Sequence, residues 1–273
     1  MRTLLGKAAL GNAAWTLSRI YYSGRAASVN NEMAVSEGPV DIDFKSDGTK
    51  LYVLTGDKIY QYSLSTAWDV STAAYDSVSF DVAEDDNSVG FAFKSDGTKM
   101  YIVGANNKTV YQYSLTAWDL STAAYDTVSI DVSGEISNPR SITFKTDGTK
   151  MYIGGFTPSG AFQYSLDAWD LSTAAYDSVT AGSSVIQGGG ATGIAFKSDG
   201  LRMFTHGANT KFVYQYTLST AWNIGTASYD SVRFYVGTQA NADARMKFKS
   251  DGTVMYRASG SAPSNSYVHQ YAL

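Results

Sequence analysis

The chain has 273 residues, of which 44% are hydrophobic and 17% charged, with a formal net charge of −4 and a pI near 5.1. This acidic balance argues against a sequence-independent nucleic-acid binder, which needs a basic stripe. The chain has no cysteine, which excludes disulfide bonds and thiolate metal sites, and its apolar runs are too short to insert into a membrane.

The N-terminal segment, residues 1–24, has a basic start and reads MRTLLGKAALGNAAWTLSRIYYSG. A secretory signal needs an uninterrupted apolar core. Polar or flexible residues interrupt this one at Gly6, Lys7, Gly11, Asn12 and Thr16. We therefore expect the segment to be retained and not to act as a signal peptide.

From residue 25 onward the chain repeats one phrase five times, anchored by Phe44, Phe93, Phe144, Phe196 and Phe248 at spacings of 49 to 52 residues. A repeat of about 40 to 50 residues that contains four short strands is typical of a propeller blade. The sequence therefore predicts an all-β fold, a five-bladed β-propeller with four antiparallel strands per blade.

The second copy shows the four strands, which we name A to D. Strand A is SVGFAF at 88–93, and strand B is KMYIVG at 99–104. The turn between them contains an Asp-Gly pair, which favours a hairpin with positive φ. Strand C begins at Thr109, and AWDLSTAAYD then crosses to strand D.

The fifth copy stops after strand C, at Leu273, and the N-terminus is predicted to supply its missing strand D. Counting back 15 residues from Phe93 and from Phe44 aligns Val29 with Val78. Residues 26–33 are thus expected beside residues 267–272, closing the ring and leaving no open sheet edge. AWTLS at 14–18 resembles the crossover, which would make Trp15 the fifth blade's tryptophan. The alternative makes residues 1–24 an anchor for a partner.

Strand A carries mostly small residues at its two channel-facing positions, but the first and last blades carry charges there. Asp41 and Asp43 stand in blade 1, and Arg245 and Lys247 stand in blade 5. Because a closed ring makes these blades neighbours, we predict ion pairs of Asp41 with Arg245 and of Asp43 with Lys247 at the seam. A catalytic pair of aspartates in the channel is the alternative.

Residues that agree among the copies are predicted to build the blades. The tryptophans are expected to fill the core between blades: Trp68, Trp118, Trp169 and Trp222. One Gln in each strand C should bond to backbone in the tryptophan loop, and Asp69, Asp119 and Asp170, which follow three of the tryptophans, should each cap a turn. The functional alternative is a sugar bound at each Trp, as in five-bladed lectins.

The copies differ mainly in their loops. The A–B turns and C–D crossovers form one face of the disc, here called the copied face; the B–C and D–A loops form the other, here called the edited face. Variable polar loops on a rigid scaffold are a common way to build a binding surface, although drift in loops without packing duty would look the same. The predicted contact residues are Asp85, Asp86, Asn106, Asn107, Lys108, Asn138, Arg140, Asn209 and Asn265.

Catalytic motifs are missing from the sequence. Its two histidines are His206, expected in a B–C loop, and His269, which replaces a strand C tyrosine. No Ser-His-Asp arrangement, HExxH pair or phosphate-binding glycine loop can be assembled. The acidic run at 84–87 lacks the spacing of a calcium loop. We therefore expect no enzyme activity, no cofactor and no metal.

The phrase FKSDGTKMYIVG, followed by VYQYSLTAWDLSTAAYD, resembles propeller repeats in tail-fibre-like and other virion proteins of bacteriophages, notably marine ones. The likeness covers residues 25–273, leaving residues 1–24 as a closure or anchor segment. It implies a virion protein, attached to other virion proteins and binding a host-surface glycan or protein. The alternative is a soluble lectin-like propeller or, with less support, a glycosidase.

Overall fold

The computed structural model describes residues 31–35, 38–207, 209–236, 245–259 and 266–273. These residues form five four-stranded antiparallel sheets, and the inner strand of each sheet contacts the inner strand of the next around a ring. The predicted five-bladed propeller is confirmed. Within these described ranges, helix is limited to single turns of 3-10 helix.

The chain enters on β1 (Asn31–Ala34) and then forms the blades in order, each from the channel outward. Blade 1 consists of β2 (Asp41–Phe44), β3 (Lys50–Leu54), β4 (Lys58–Leu64) and β5 (Ala73–Asp81). Blade 2 consists of β6 (Ser88–Phe93), β7 (Lys99–Gly104), β8 (Thr109–Ser114) and β9 (Ala124–Asp131). Blade 3 consists of β10 (Pro139–Phe144), β11 (Lys150–Phe156), β12 (Ser159–Ser165) and β13 (Ala175–Gly182). Blade 4 consists of β14 (Ala191–Phe196), β15 (Arg202–Gly207), β16 (Phe212–Leu218) and β17 (Ala227–Tyr235). Blade 5 consists of β18 (Met246–Phe248), β19 (Val254–Ser259) and β20 (Tyr267–Ala272), and β1 is its outer strand.

The outer strand of blades 1 to 4 carries a bulge that the sequence did not predict. In blade 1, Gln61 pairs with Val78 while the next residue, Tyr62, pairs with Tyr75. Ser77 adopts a φ of 58° there, and the same conformation recurs in the next three blades. The bulge turns the Asp76 carboxylate inward, to 2.8 Å from both Lys50 Nζ and Gln61 Nε2. A bulged edge is a poor template for pairing with another chain.

Strand β1 closes the ring by pairing with β20, as predicted, but the predicted register is wrong. Asn31 pairs with Gln270, so Asn31 and not Val29 takes the place of Val78, which pairs with Gln61. The link from strand D to strand A is two residues shorter at the seam than in blade 2. The shift by two keeps the alternation of side chains, and Val35 occupies the buried position of Val82. Ala26–Val29 lie outside the described residues.

The hydrophobic core is divided into five clusters, each between two neighbouring blades. Between blades 1 and 2, Tyr52 packs on Phe93 with ring centroids 4.6 Å apart, and Phe93 packs on Trp118 at 5.3 Å. A blade buries its faces only against its neighbours, so the closed ring is needed for stability. In the part of the chain that the structure describes, no helix is long and apolar enough to cross a membrane.

Candidate ligand-binding face and central channel

The copied face is held together by the tryptophans. Trp118 has a φ of 64° and lies over Gly97, so a Cβ at Gly97 would stand 2.4 Å from the indole ring. Its carbonyl accepts a 2.7 Å hydrogen bond from Tyr52 Oη of the preceding blade. The other three predicted core tryptophans, Trp68, Trp169 and Trp222, have the same φ, the same glycine contact and the same tyrosine bond. One face of the five-membered ring of each indole is therefore covered by the protein itself.

The strand C glutamines bond to backbone in a tryptophan loop, as predicted, and that loop belongs to the next blade. Gln61 Oε1 accepts from Leu120 N, 3.1 Å away in the next blade's tryptophan loop, and Gln112 does the same with Leu171 N. The aspartates after Trp68, Trp118 and Trp169 cap the following 3-10 turns, also as predicted, and Asn223 caps the turn after Trp222. Asp119 Oδ1, for example, accepts from Ser121 N at 3.1 Å.

On the edited face, the D–A and B–C loops of one blade join by backbone hydrogen bonds. Ala105 N donates to Asn87 O at 2.9 Å in blade 2, and Ser137 N donates to Thr157 O at 2.7 Å in blade 3. Each pair of loops thus forms one connected unit at the rim of its blade. The side chains on these units differ from blade to blade, although the strands below them are alike.

Blade 2 brings five of the predicted contact residues together: Asp85, Asp86, Asn106, Asn107 and Lys108. Asp85 is buried and organises the group, since its two carboxylate oxygens accept from Asn87 N at 2.9 Å and from Asn107 N at 2.8 Å. Asp86 accepts from the exposed Asn106 amide, and Lys108 Nζ donates to Asn106 O. The buried Asp85 thus supports the exposed amides and does not itself reach the surface.

The remaining predicted contacts lie apart from this group. Arg140 places its guanidinium 4.9 Å from the centre of the Phe156 ring. Asn138, half-buried, accepts from Phe156 N through its carbonyl, and Asn209 N donates to Gly188 O in blade 4. Asn265 lies outside the described residues. The edited face is therefore best described at blade 2, where amides and carboxylates converge.

The seam charges line the central channel. Lys247 Nζ lies 3.5 Å from Asp43 Oδ2, and Asp43 Oδ2 also accepts from Phe93 N of blade 2 at 3.1 Å. Asp41 Oδ2 accepts from Phe91 N at 3.0 Å. Both aspartates thus bond to backbone N–H groups that the innermost strand of blade 2 turns toward the channel.

Burial raises the pKa of Asp41 to about 6, although the positive charges of Lys247 and Arg245 and the Phe91 hydrogen bond oppose that rise. Arg245 extends across the channel, and its Nε donates to Val89 O at 2.9 Å and to Arg140 O at 2.8 Å. It therefore ties blade 5 to blades 2 and 3 at the edited end of the channel. The predicted partners Asp41 and Arg245 are therefore close enough for the charge of Arg245 to act on the pKa of Asp41.

Sequence reasoning missed two features of the edited face. Glu84 and Glu135, in D–A loops, accept hydrogen bonds from the strand C tyrosines Tyr113 at 2.6 Å and Tyr164 at 3.0 Å. Glu84 lies two residues after the buried Val82, and Glu135 lies three residues after the buried Val132. An alignment of these two loops would have shown the similar placement. His206 was placed wrongly: it lies within strand B of blade 4 and not in the following loop, and it is fully buried.

No group of three or more His, Asp or Glu side chains that could hold a metal ion occurs within the described ranges. The acidic run at 84–87 uses its oxygens on protein groups: Asp85 on backbone amides, and Glu84 on Tyr113. This arrangement fits a turn better than a cation loop.

No protein-family model matches the chain, and no curated protein matches its sequence. Solved structures do match in fold. A protein of Bacteroides uniformis assigned provisionally as a 6-phosphogluconolactonase is 13% identical, with a TM-score of 0.53, over 81% of this chain and 63% of its own. A protein of Bacteroides fragilis with the same provisional assignment is 15% identical, with a TM-score of 0.50, over 71% of this chain and 54% of its own.

The hydrazine synthase of Kuenenia stuttgartiensis is 13% identical, with a TM-score of 0.50, over 88% of this chain and 59% of its own. This chain spans less than two thirds of the length of each of these three proteins. Likeness at this level shows the shared propeller fold alone. The resemblance to bacteriophage repeats stays a prediction from the sequence.

The comparisons correct one prediction. The expectation that the chain is not an enzyme is wrong as an exclusion, because two proteins that share this fold are provisionally assigned as 6-phosphogluconolactonases. The missing triads and metal motifs therefore do not exclude hydrolysis by a chain of this fold. What is similar here is the scaffold, a ring of blades around a channel.

Proposed function

We propose that this chain is a propeller module of a bacteriophage particle and that its edited face binds a glycan or protein on the host cell surface. The observation that supports this proposal is the contrast between the two faces. Every described C–D crossover repeats the same glycine contact, tryptophan and cap, whereas each described loop pair on the edited face has its own side chains. Surfaces that select a ligand are commonly built this way.

The chemistry of the blade 2 loops favours a polar, hydroxyl-rich ligand. Asp86, Asn106 and Asn107 are exposed: the carboxylate can accept hydrogen bonds from sugar hydroxyls, and the amides can both donate to and accept from them. Hydrogen bonds among these loops and to the buried Asp85 hold the groups in place before a ligand arrives. Such preorganisation lowers the entropy lost on binding.

The proposal places the chain in the virion, with other virion proteins as its partners and without nucleic-acid or membrane contacts. The test is to probe an array of bacterial surface polysaccharides with fluorescently labelled protein and to label purified virions with an antibody against the chain. We expect a subset of the polysaccharides to bind and the virions to be decorated at repeated positions.

Asn106→Ala and Asn107→Ala together should weaken array binding at least about tenfold, as expected for the loss of several hydrogen bonds worth about 1 kcal/mol each. Thr116→Ala, at an exposed position of the copied face, is the matched control and should bind like the wild type. Equal losses in both variants, or virions that lack the chain, would count against the proposal.

A second candidate is hydrolysis of a sugar lactone, which the named activity of two structural neighbours suggests. The observation that favours it is the imidazole of His206, whose Nδ1 lies 2.9 Å from Thr192 Oγ1. A neutral imidazole beside a hydroxyl can act as a general base. Release of acid from glucono-1,5-lactone, measured at constant pH, should be accelerated by the wild type and not by Thr192→Val. A rate equal to the uncatalysed one rejects this candidate.

A further inference from the structure

The interface between blades 4 and 5 differs from the other four at one level near the edited face. At this level, a strand B side chain that points toward the next blade lies opposite a strand B side chain of that next blade, which points back toward it. In three interfaces the pair is apolar: Leu54 with Ile102, Val103 with Ile153, and Ala258 with Val53. Between blades 3 and 4 it is Gly154 with Thr205. Between blades 4 and 5 it is His206 with Arg257.

The orientation of both side chains follows from strand alternation. Phe204 lies in the core between blades 4 and 5, with its ring 4.8 Å from that of Phe248, and His206 points the same way two residues later. Met255 lies in the same core from the side of blade 5, and Arg257 follows it by two residues. Both His206 and Arg257 are fully buried, with 0% of their surface exposed.

Burying these groups is costly. A guanidinium removed from water loses much of its favourable hydration energy, and the apolar pairs in three other interfaces show that hydrocarbon side chains fit the same place. Burial lowers the pKa of Arg257 to about 10, although the nearby Tyr271 opposes this shift. A position that breaks the pattern of its copies in this way is a candidate functional position.

His206 supplies the observation that points to a ligand. Its Nδ1 is satisfied by Thr192 Oγ1, but its Nε2 is buried and has no hydrogen-bond partner among the described residues. Burial, together with the positive charges of Arg257 and Arg245, holds the pKa of His206 well below its usual value of 6.5. The imidazole is therefore neutral. The Thr192 hydroxyl can donate to Nδ1 or accept from it, and in the tautomer whose Nδ1 accepts, the proton lies on Nε2, which is then a buried donor.

We propose that the interface between blades 4 and 5 binds one small anion, a phosphate or carboxylate group, through His206 Nε2–H and the guanidinium of Arg257, in the positive field of Arg245. An anion accepts from the unpartnered donor and compensates the clustered positive charge, which accounts for the departure from the apolar pairs. The group belongs either to a free ion or to an acidic sugar. The proposal does not depend on what the edited face binds.

The test is thermal unfolding of the full chain in phosphate, in glucuronate and in sodium chloride of equal ionic strength. We expect phosphate or glucuronate to raise Tm by roughly 3 °C or more at concentrations well above Kd, and chloride to act only as a screening salt. A response to phosphate identifies a free ion, and a response to glucuronate alone identifies an acidic sugar. Equal Tm in all three salts overturns the proposal.

The sister blades supply the variants. His206→Val introduces the residue of Val103, and Arg257→Ile introduces that of Ile102, and each should abolish the anion-dependent rise in Tm. Thr205→Ile, which makes the same kind of change in the interface between blades 3 and 4, should keep it. A full response in His206→Val overturns the proposal.

A second measurement does not require that the variants fold. The chain has two histidines, so the imidazole nitrogen resonances of the wild type can be followed individually during titration with phosphate or glucuronate. Saturable movement of the His206 Nε2 resonance supports the site. Resonances that stay fixed while Tm rises place the anion elsewhere and overturn it.

Discussion

The two faces of this propeller use the same strands but differ in what fixes their conformation. On the copied face, each turn is locked by a tryptophan that crosses to a glycine in its own blade and to a tyrosine in the blade before it. On the edited face, loop side chains such as Asp85 bond within one blade, and the links between blades are mainly backbone bonds such as that of Ser88 N to Gly56 O at 2.8 Å. The first arrangement couples blades, so a change there affects the ring, whereas the second lets each blade vary alone. Variation is thus tolerated where side-chain coupling between blades is weak.

The largest expected effect tests this coupling through two glycines. Gly97→Ala would put a Cβ 2.4 Å from the Trp118 ring at a φ of +74°, whereas Gly134, in a D–A loop, has nothing within 4 Å of the same atom. We expect Gly97→Ala to reduce the free energy of unfolding by about 3 kcal/mol or more, and Gly134→Ala by less than about 0.5 kcal/mol. Denaturant titration measures both, and similar losses would show that the faces are coupled alike.

The next effect concerns Asp41, which lies in the channel between the faces. Its pKa rises from 3.8 to about 6 in the folded protein, so the folded state holds this proton more tightly than the unfolded state. Its contribution to stability is therefore greatest at low pH and is lost as pH rises through about 4 to 6. Relative to Asp41→Asn, the wild type should lose on the order of 2 kcal/mol over that range.

The difference between wild type and Asp41→Asn isolates this group from the turn aspartates, which act in the opposite direction. Hydrogen bonds from Lys45 and Thr49 lower the pKa of Asp47 to about 2, so its contribution is present above about pH 4 and is lost as pH falls through 2. Unfolding curves of both proteins at a series of pH values give the comparison. A difference that does not change with pH would show that Asp41 titrates normally.

A smaller effect separates bonds between blades from bonds within a blade. Gln112 donates to Asp126 and accepts from Leu171 N of the next blade, so Gln112→Leu leaves a buried N–H unsatisfied and should cost about 2 kcal/mol. Thermal or denaturant unfolding will show whether the transition also becomes less cooperative, as loss of a contact between repeats predicts. An unchanged midpoint would mean that water replaces the amide.

The smallest effect on stability is expected on the edited face itself. Asn107→Ala removes side-chain bonds to Glu84 O and Tyr111 Oη at the rim of blade 2, where water can replace them, and should cost less than about 1 kcal/mol. Its denaturation midpoint should lie close to that of the wild type. A loss of stability as large as that of Gln112→Leu would show that side chains of the edited loops stabilise the fold.

Strand positions were predictable because agreement among five copies marks the buried alternation. Strands A and B of blade 2 begin and end where the sequence places them, at Ser88–Phe93 and Lys99–Gly104. The strand D bulge was not predictable, because Ser77 and its equivalents give no glycine signal for their positive φ. The register of β1 was missed because the link at the seam is two residues shorter, and no other copy shows that length.

The candidate site was less predictable than the fold. Copy comparison identified the edited loops, but it could not tell that Asp85 is buried while Asp86 is exposed, since both read as loop carboxylates. Arg257 could not be predicted from agreement among the copies, because it differs from Ile102 and Val53, which occupy the same position in blades 2 and 1. Contacts across a ring, such as Arg245 with Val89 O, depend on a curvature that sequence alone does not reveal.

The claim that the edited face binds the ligand can be tested by blocking each face in turn. Because the chain has no cysteine, Gly134→Cys on the edited face and Ala117→Cys on the copied face each give one exposed site for a bulky maleimide polymer. Binding to surface polysaccharide should be lost when the polymer is attached at position 134 and preserved when it is attached at position 117. Loss at position 117 with full binding at position 134 would contradict the account.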